Sequence, residues 1–193
     1  MTALAPARGW AADSVAMFRI YLVRGLAAIA WAVAFSTTPA SLSTASVLLL
    51  VAYPLIDVVA TLLDARADPG SPARRLQLFN TALSAAAAVA LGVAAVDGLA
   101  AVLATFGVWA IASGGAQVAV AVRRRVPELG RQWPMLTAGV LSAIAGATYL
   151  VAAAGPAPGL GALVTYTAAG GTFFVLQAAT LAWRRRRPRD LPA

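Results

Sequence analysis

What most constrains this chain is where its charges fall. All fifteen basic residues are arginine. They gather at the amino end, in the segments ARADPGSPARR and RRRVPELGRQWP, and in the closing RRRRPR. Between these clusters lie six apolar runs of about 19–24 residues, enough for a helix to cross a hydrocarbon core of roughly 30 Å at 1.5 Å per residue. The runs cover about Phe18–Thr37, Ala45–Asp64, Leu76–Val96, Leu99–Val122, Met135–Ala153 and Leu160–Trp183. The first, third and fifth connections (STTPASLST, Asp97-Gly98 and AGPAPG) hold no arginine. Arginine in alternate connections predicts a polytopic membrane protein with both ends in the cytoplasm, since positive loops stay on that side.

Helix is the only reading for these runs. In lipid each segment must satisfy its own amides, and Ala85–Ala90 and Val47–Val51 lack the alternation of a barrel strand. The expected fold is therefore all-α: a short cytoplasmic lead over residues 1–17, one six-helix domain over 18–187 and a tail over 188–193. Its hairpins are 18–64, 76–122 and 135–183. Trp10, Met17, Phe18 and Tyr21 recur at helical spacing, so part of the lead can lie flat at the interface or fray. Ala32-Val33-Ala34 resembles a signal-peptidase site, but the extent of the lead before the apolar run argues for an uncleaved first span.

Composition narrows the chemistry. The chain is 61% hydrophobic and only 11% charged, where a soluble domain carries about 25% charged residues. The net charge of +8 sits beside apolar runs; it reads as topological anchors meeting anionic cytoplasmic headgroups rather than a nucleic-acid surface. With no cysteine or histidine, disulfides, thiolate chemistry and Fe–S clusters are excluded, and the sequence shows no metal-ligand cluster. There is no phosphate-cradling GxxxxGK[ST] and no Ser/His/Asp set, so neither an enzyme nor a cofactor is expected.

The first two hairpins align without a gap at an offset of 56 residues: Arg19 falls on Arg75, Leu22 on Leu78, Tyr53 on Trp109 and Asp57 on Ser113. A third copy follows at slightly longer spacing, with Gly139 in the place of Gly25 and Arg184 in that of Arg123. The chain thus reads as three tandem hairpins of one orientation.

Polar residues inside the spans are the functional candidates. Arg24 and Asp57 are equidistant from the turn near residues 40–41 and should meet at one depth as an ion pair. Arg19 and Asp64 match in the same way nearer the interface. In the second hairpin the same arithmetic pairs Asn80 with Ser113 and Gln77 with Gln117. Two readings stay open: clamps that fix helix rotation, or a polar vestibule open to the cytoplasm. Gly107 and Gly114, like Gly139 and Gly146, are seven apart and should let backbones approach closely, within the monomer or in a homo-oligomer.

The segments Arg24-Gly25-Leu26-Ala27-Ala28-Ile29, Tyr53 to Asp57, Trp109-Ala110-Ile111-Ala112-Ser113-Gly114 and Gly139-Val140-Leu141-Ser142-Ala143-Ile144-Ala145-Gly146 resemble the HdeD-like acid-resistance membrane proteins, over about residues 18–187. Those are small six-span bacterial proteins built from a short repeated hairpin of unknown biochemistry. The resemblance implies an integral inner-membrane protein, not an enzyme, with a structural or interaction role in acid or envelope stress. A small transporter or channel, with Arg24, Asp57, Asn80 and Ser113 lining its vestibule, is the alternative. An accessory subunit of a membrane complex is a third.

Overall fold

The computed structural model describes residues 7–38, 41–67, 69–123 and 133–186. They form six helices and no strand: α1 (Ala7–Ser36), α2 (Thr44–Ala67), α3 (Arg74–Asp97), α4 (Leu99–Arg123), α5 (Trp133–Ala153) and α6 (Gly161–Arg186). Each contains a stretch long and apolar enough to cross a membrane, the makeup of a multi-pass membrane protein. α1 starts eleven residues earlier than its apolar run, so the lead from Ala7 onward continues the helix. The side chains of Trp10 and Met17, the connection around Glu128 and Arg131, and the tail 188–193 lie outside the described residues.

Local chemistry sets the helix ends. Ser43 Oγ accepts the Ser46 amide at 3.2 Å, a serine cap for the first turn of α2. Between α3 and α4 a single residue, Gly98, reverses the chain at φ 105°. That left-handed backbone is open to glycine and strained for other residues. Inside α2, Pro54 removes one amide from the ladder. In the turn before it, Trp31 Nε1 on α1 donates to the Leu49 carbonyl at 2.6 Å, binding α1 to α2.

The helices close into a ring. Each packs on its two neighbours in chain order, and α1 meets α6 to complete the circuit. Close and loose contacts alternate: α2 against α3, α4 against α5 and α6 against α1 are intimate, whereas α1–α2, α3–α4 and especially α5–α6 are looser. The hairpins expected from the sequence are therefore not the tightest packing units. Antiparallel helices joined by an arginine-bearing connection pack harder than those joined by a turn without arginine.

Glycine explains two of the three intimate seams. A Cβ on Gly114 would lie 2.5 Å from the Gly139 carbonyl oxygen, and one on Gly139 2.6 Å from that of Gly114. Gly107 and Gly146 face each other likewise, at 2.8 and 2.5 Å, so the four glycines zip α4 to α5. Gly25 and Gly171 do the same for α1 and α6, at 2.7 and 2.8 Å. Lipid gives no hydrophobic drive for helix association, so this backbone-to-backbone approach carries the packing. The α2–α3 seam has no such pair and is joined by side-chain hydrogen bonds instead.

Burial repeats around the ring. Leu50, Phe106 and Leu163 are all 0% exposed. The same holds in kind for Phe35, Leu91 and Tyr149, and for Ala65, Ala121 and Ala178. The first two members of each set are 56 positions apart in the numbering, the sequence offset noted above. Aromatic rings cluster inside the ring: Tyr53 lies 5.7 Å from both Phe106 and Trp109, and Tyr149 5.9 Å from both Phe106 and Tyr166.

Candidate functional site

α1 and α2 bring Arg24 and Asp57 together as a hydrogen-bonded ion pair. The carboxylate is shared further than the sequence suggested. Its second oxygen accepts Asn80 Nδ2 at 2.8 Å and Ser84 Oγ at 2.7 Å, both from α3. Ser84 in turn accepts Trp109 Nε1 from α4 at 3.0 Å. Arg24 lies with its guanidinium carbon 5.3 Å from the centre of the Phe174 ring on α6, within cation–π range. One buried carboxylate therefore ties α1, α2 and α3 directly, α4 through Ser84 and α6 through Arg24. A charge in a low-dielectric interior needs this density of partners, because an isolated one is costly.

The pairs expected within the second hairpin do not form. Asn80 turns to Asp57 and, at 3.4 Å, to Thr61 Oγ1, rather than to Ser113. Gln77 Nε2 donates to Asp64 at 2.5 Å rather than to Gln117. Arg19 is exposed, and the described partner of Asp64 is Gln77. The physical reason is the ring: α3 packs its polar stripe on α2, across the arginine-bearing connection, not on its own hairpin partner α4. The buried carbonyl oxygens Asn80 Oδ1 and Gln77 Oε1 accept no hydrogen bond.

Ser113 and Gln117 instead line a cavity of about 420 Å³ inside the ring. Arg24 and Asp57 form its polar wall together with these two, and Tyr53, Trp109 and Tyr166 lie on the same lining. Ser142, also lining, donates to the Ala110 carbonyl at 3.1 Å. The repeat expected from the sequence sets Ala138 and Gly170 against Arg24 and Asp57, and both line the cavity. Small residues there leave the room that the first hairpin fills with an ion pair. The fully buried Leu50, Phe106 and Leu163 close the axis toward the end that carries no arginine. Among the described residues no group of His, Cys, Asp or Glu could hold a metal ion.

Residues 82–151 match a family described as a short repeat of unknown function (DUF308). The matched stretch runs from α3 through α4 to near the end of α5, and so includes the glycine zipper and most of the lining given by α4 and α5. No curated protein and no solved structure matches the chain.

Sequence reasoning missed Ser84, Thr61 and the role of Trp109. The signal was present. Gln77, Asn80, Thr81 and Ser84 form a polar stripe at spacings of three and four on an otherwise apolar helix, and Asp57 and Thr61 are four apart on the helix that faces it.

Proposed function

We propose that this is a non-enzymatic, multi-pass inner-membrane protein whose working part is the chamber inside its helix ring. The chamber is a binding site for one small molecule, oriented by the polar wall of Arg24, Asp57, Ser113 and Gln117. The observation that carries the reading is the cavity itself. Its volume of about 420 Å³ falls within the range of small-molecule sites, about 300–1,000 Å³, and its lining is mostly apolar with a few converging polar groups. The packed rings and leucines beyond it favour retention of a ligand over conduction through the ring. Both termini lie in the cytoplasm on this reading. The exposed Arg66, Arg74, Arg75 and Arg123 then meet anionic headgroups at the end nearest the ion pair.

The ring is three copies of one hairpin, on the strength of the 56-residue offset, the recurring buried positions and the short-repeat match over residues 82–151. The first copy carries the ion pair, the second the neutral serine and amide, and the third the space. The resemblance to the HdeD-like proteins, whose repeat character agrees with that match, adds a physiological setting in acid or envelope stress.

The test of the chamber is what the protein retains. Wild type and Gly170→Leu are purified in mild detergent and their bound small molecules extracted and compared by mass spectrometry. A Cβ on Gly170 meets nothing within 4 Å, so the larger side chain enters the cavity without forcing the backbone. A species retained near one per protein by wild type and lost from the variant is the expected result. Identical extracts from both would end the proposal. The stress setting is tested separately by the growth of a deletion strain at low pH, with rescue expected from the intact chain and not from Gly170→Leu.

A further inference from the structure

The chamber does not have equal walls. α5 and α6 make the loosest contact in the ring, and they supply much of its lining. Leu141 and Ile144 on α5 line the cavity and are 50% and 57% exposed. Ala169 on α6 shares both properties. No glycine pair draws these two helices together, although both neighbouring seams, α4–α5 and α6–α1, are zipped by glycine. A surface of Leu, Ile and Ala at this depth faces hydrocarbon in a membrane-spanning chain.

Resting on the chamber reading above, we infer that the cavity opens sideways into the bilayer between α5 and α6 and admits the single hydrocarbon chain of an amphiphile whose head is a neutral hydrogen-bond acceptor, an ester or ketone carbonyl. The head chemistry follows from the polar wall. Both oxygens of Asp57 are already engaged, one by Arg24 and the other by Asn80 and Ser84. Arg24 carries five N–H donors and has further donors beyond its bond to Asp57. Ser113 and Gln117 beside it can accept as well as donate, so what the wall holds in excess is the set of Arg24 donors not spent on Asp57, and that excess suits an acceptor. Its charge is balanced, because the guanidinium and carboxylate cancel. A fatty-acid carboxylate would enter a low-dielectric site without a net countercharge, and burying an uncompensated charge is costly. A neutral carbonyl takes the same hydrogen bonds without that cost. The volume suits one chain with a small head.

The experiment is photolabelling of the full chain in nanodiscs with two probes of equal chain length, each bearing a diazirine at mid-chain: a monoacylglycerol and the corresponding fatty acid. Labelled residues are located by peptide mass spectrometry. The monoacylglycerol should label α5 within residues 138–145 and α6 within 166–174. Gly170→Leu should lower that labelling about tenfold, the equivalent of ~1.4 kcal/mol. Gly115→Leu is the control: Gly115 is exposed, lies outside the cavity lining and has nothing within 4 Å of an added Cβ, so labelling should persist. Equal or stronger labelling by the fatty acid overturns the head chemistry. Labelling of α5 and α6 that ignores Gly170→Leu, or its absence with both probes, overturns lateral entry. If neither probe labels but the retained-molecule comparison yields a water-soluble species lost from Gly170→Leu, the chamber stands and this inference falls. If Gly170→Leu alters neither readout, both fall.

Discussion

Removing the Arg24 guanidinium while keeping its aliphatic bulk, as in Arg24→Met, strands the Asp57 carboxylate in a site where it is only 6% exposed. Breaking a buried pair from one side costs about 3–5 kcal/mol. Asn80 and Ser84 still donate to Asp57, and hydrogen bonds to a charged group are worth about 1.5–3 kcal/mol each. The cost should therefore fall at the lower end, about 3 kcal/mol. Adding Asp57→Asn removes the orphaned charge; the amide oxygen can keep the Asn80 and Ser84 bonds, but the amide NH2 then faces the side that Arg24 has left. One donor then goes unsatisfied, at about 1–3 kcal/mol. The double variant should recover up to about 2 kcal/mol relative to Arg24→Met. Asp57→Asn alone should also fall below wild type, because it strands Arg24. Unfolding in mixed micelles by SDS titration, followed through the five tryptophans, measures all four proteins. The predicted order is wild type, then the double variant, then Arg24→Met. A double variant less stable than Arg24→Met, with the two losses simply adding, refutes the pairing argument.

Gly114→Ala should destabilise by about 1–3 kcal/mol, the cost of overpacking, since its Cβ meets the Gly139 carbonyl at 2.5 Å; Gly115→Ala, with open space, should be neutral or better in the same titration. Trp109→Phe keeps the ring packing but removes the donor to Ser84, and should cost about 0.5–1.5 kcal/mol in that assay, with little loss pointing to a bond that does not form. Reporter fusions in the α2–α3 and α4–α5 connections should report cytoplasm, and those in the α1–α2 and α5–α6 turns periplasm. The reverse pattern would remove the topological basis of the account.

The elements were legible because membranes leave so little choice: apolar runs of spanning length had to be helices, and Asp97-Gly98 and the proline-bearing turns had to break them. The depth match of Arg24 and Asp57 was legible from counting residues back from one turn. The ring was not. Depth arithmetic says which residues share a level but not which helix stands beside which, so Asn80 was assigned to Ser113 at its own level when Asp57, at the same level on α2, was the nearer partner. The glycine spacings marked close approach without naming the seam. Gly25 with Gly171, separated by most of the chain, had no sequence signal beyond the repeat relation of Gly25 to Gly139. The cavity was invisible because it arises from what the third hairpin lacks. Ala138 and Gly170 are unremarkable until their counterparts Arg24 and Asp57 are seen across the axis.

Closure of the ring by α1 against α6 holds the chamber together, and the absence of native cysteine makes it directly accessible. Tyr21 and Phe174 stack across this seam with ring centres 6.0 Å apart. A Tyr21→Cys/Phe174→Cys protein with a protease site in the α4–α5 connection is treated in membranes with a short bifunctional thiol reagent and then cut. The account predicts that the fragments bearing α1 and α6 stay covalently joined. Fragments that separate, although a monofunctional reagent shows both cysteines reactive, would contradict it.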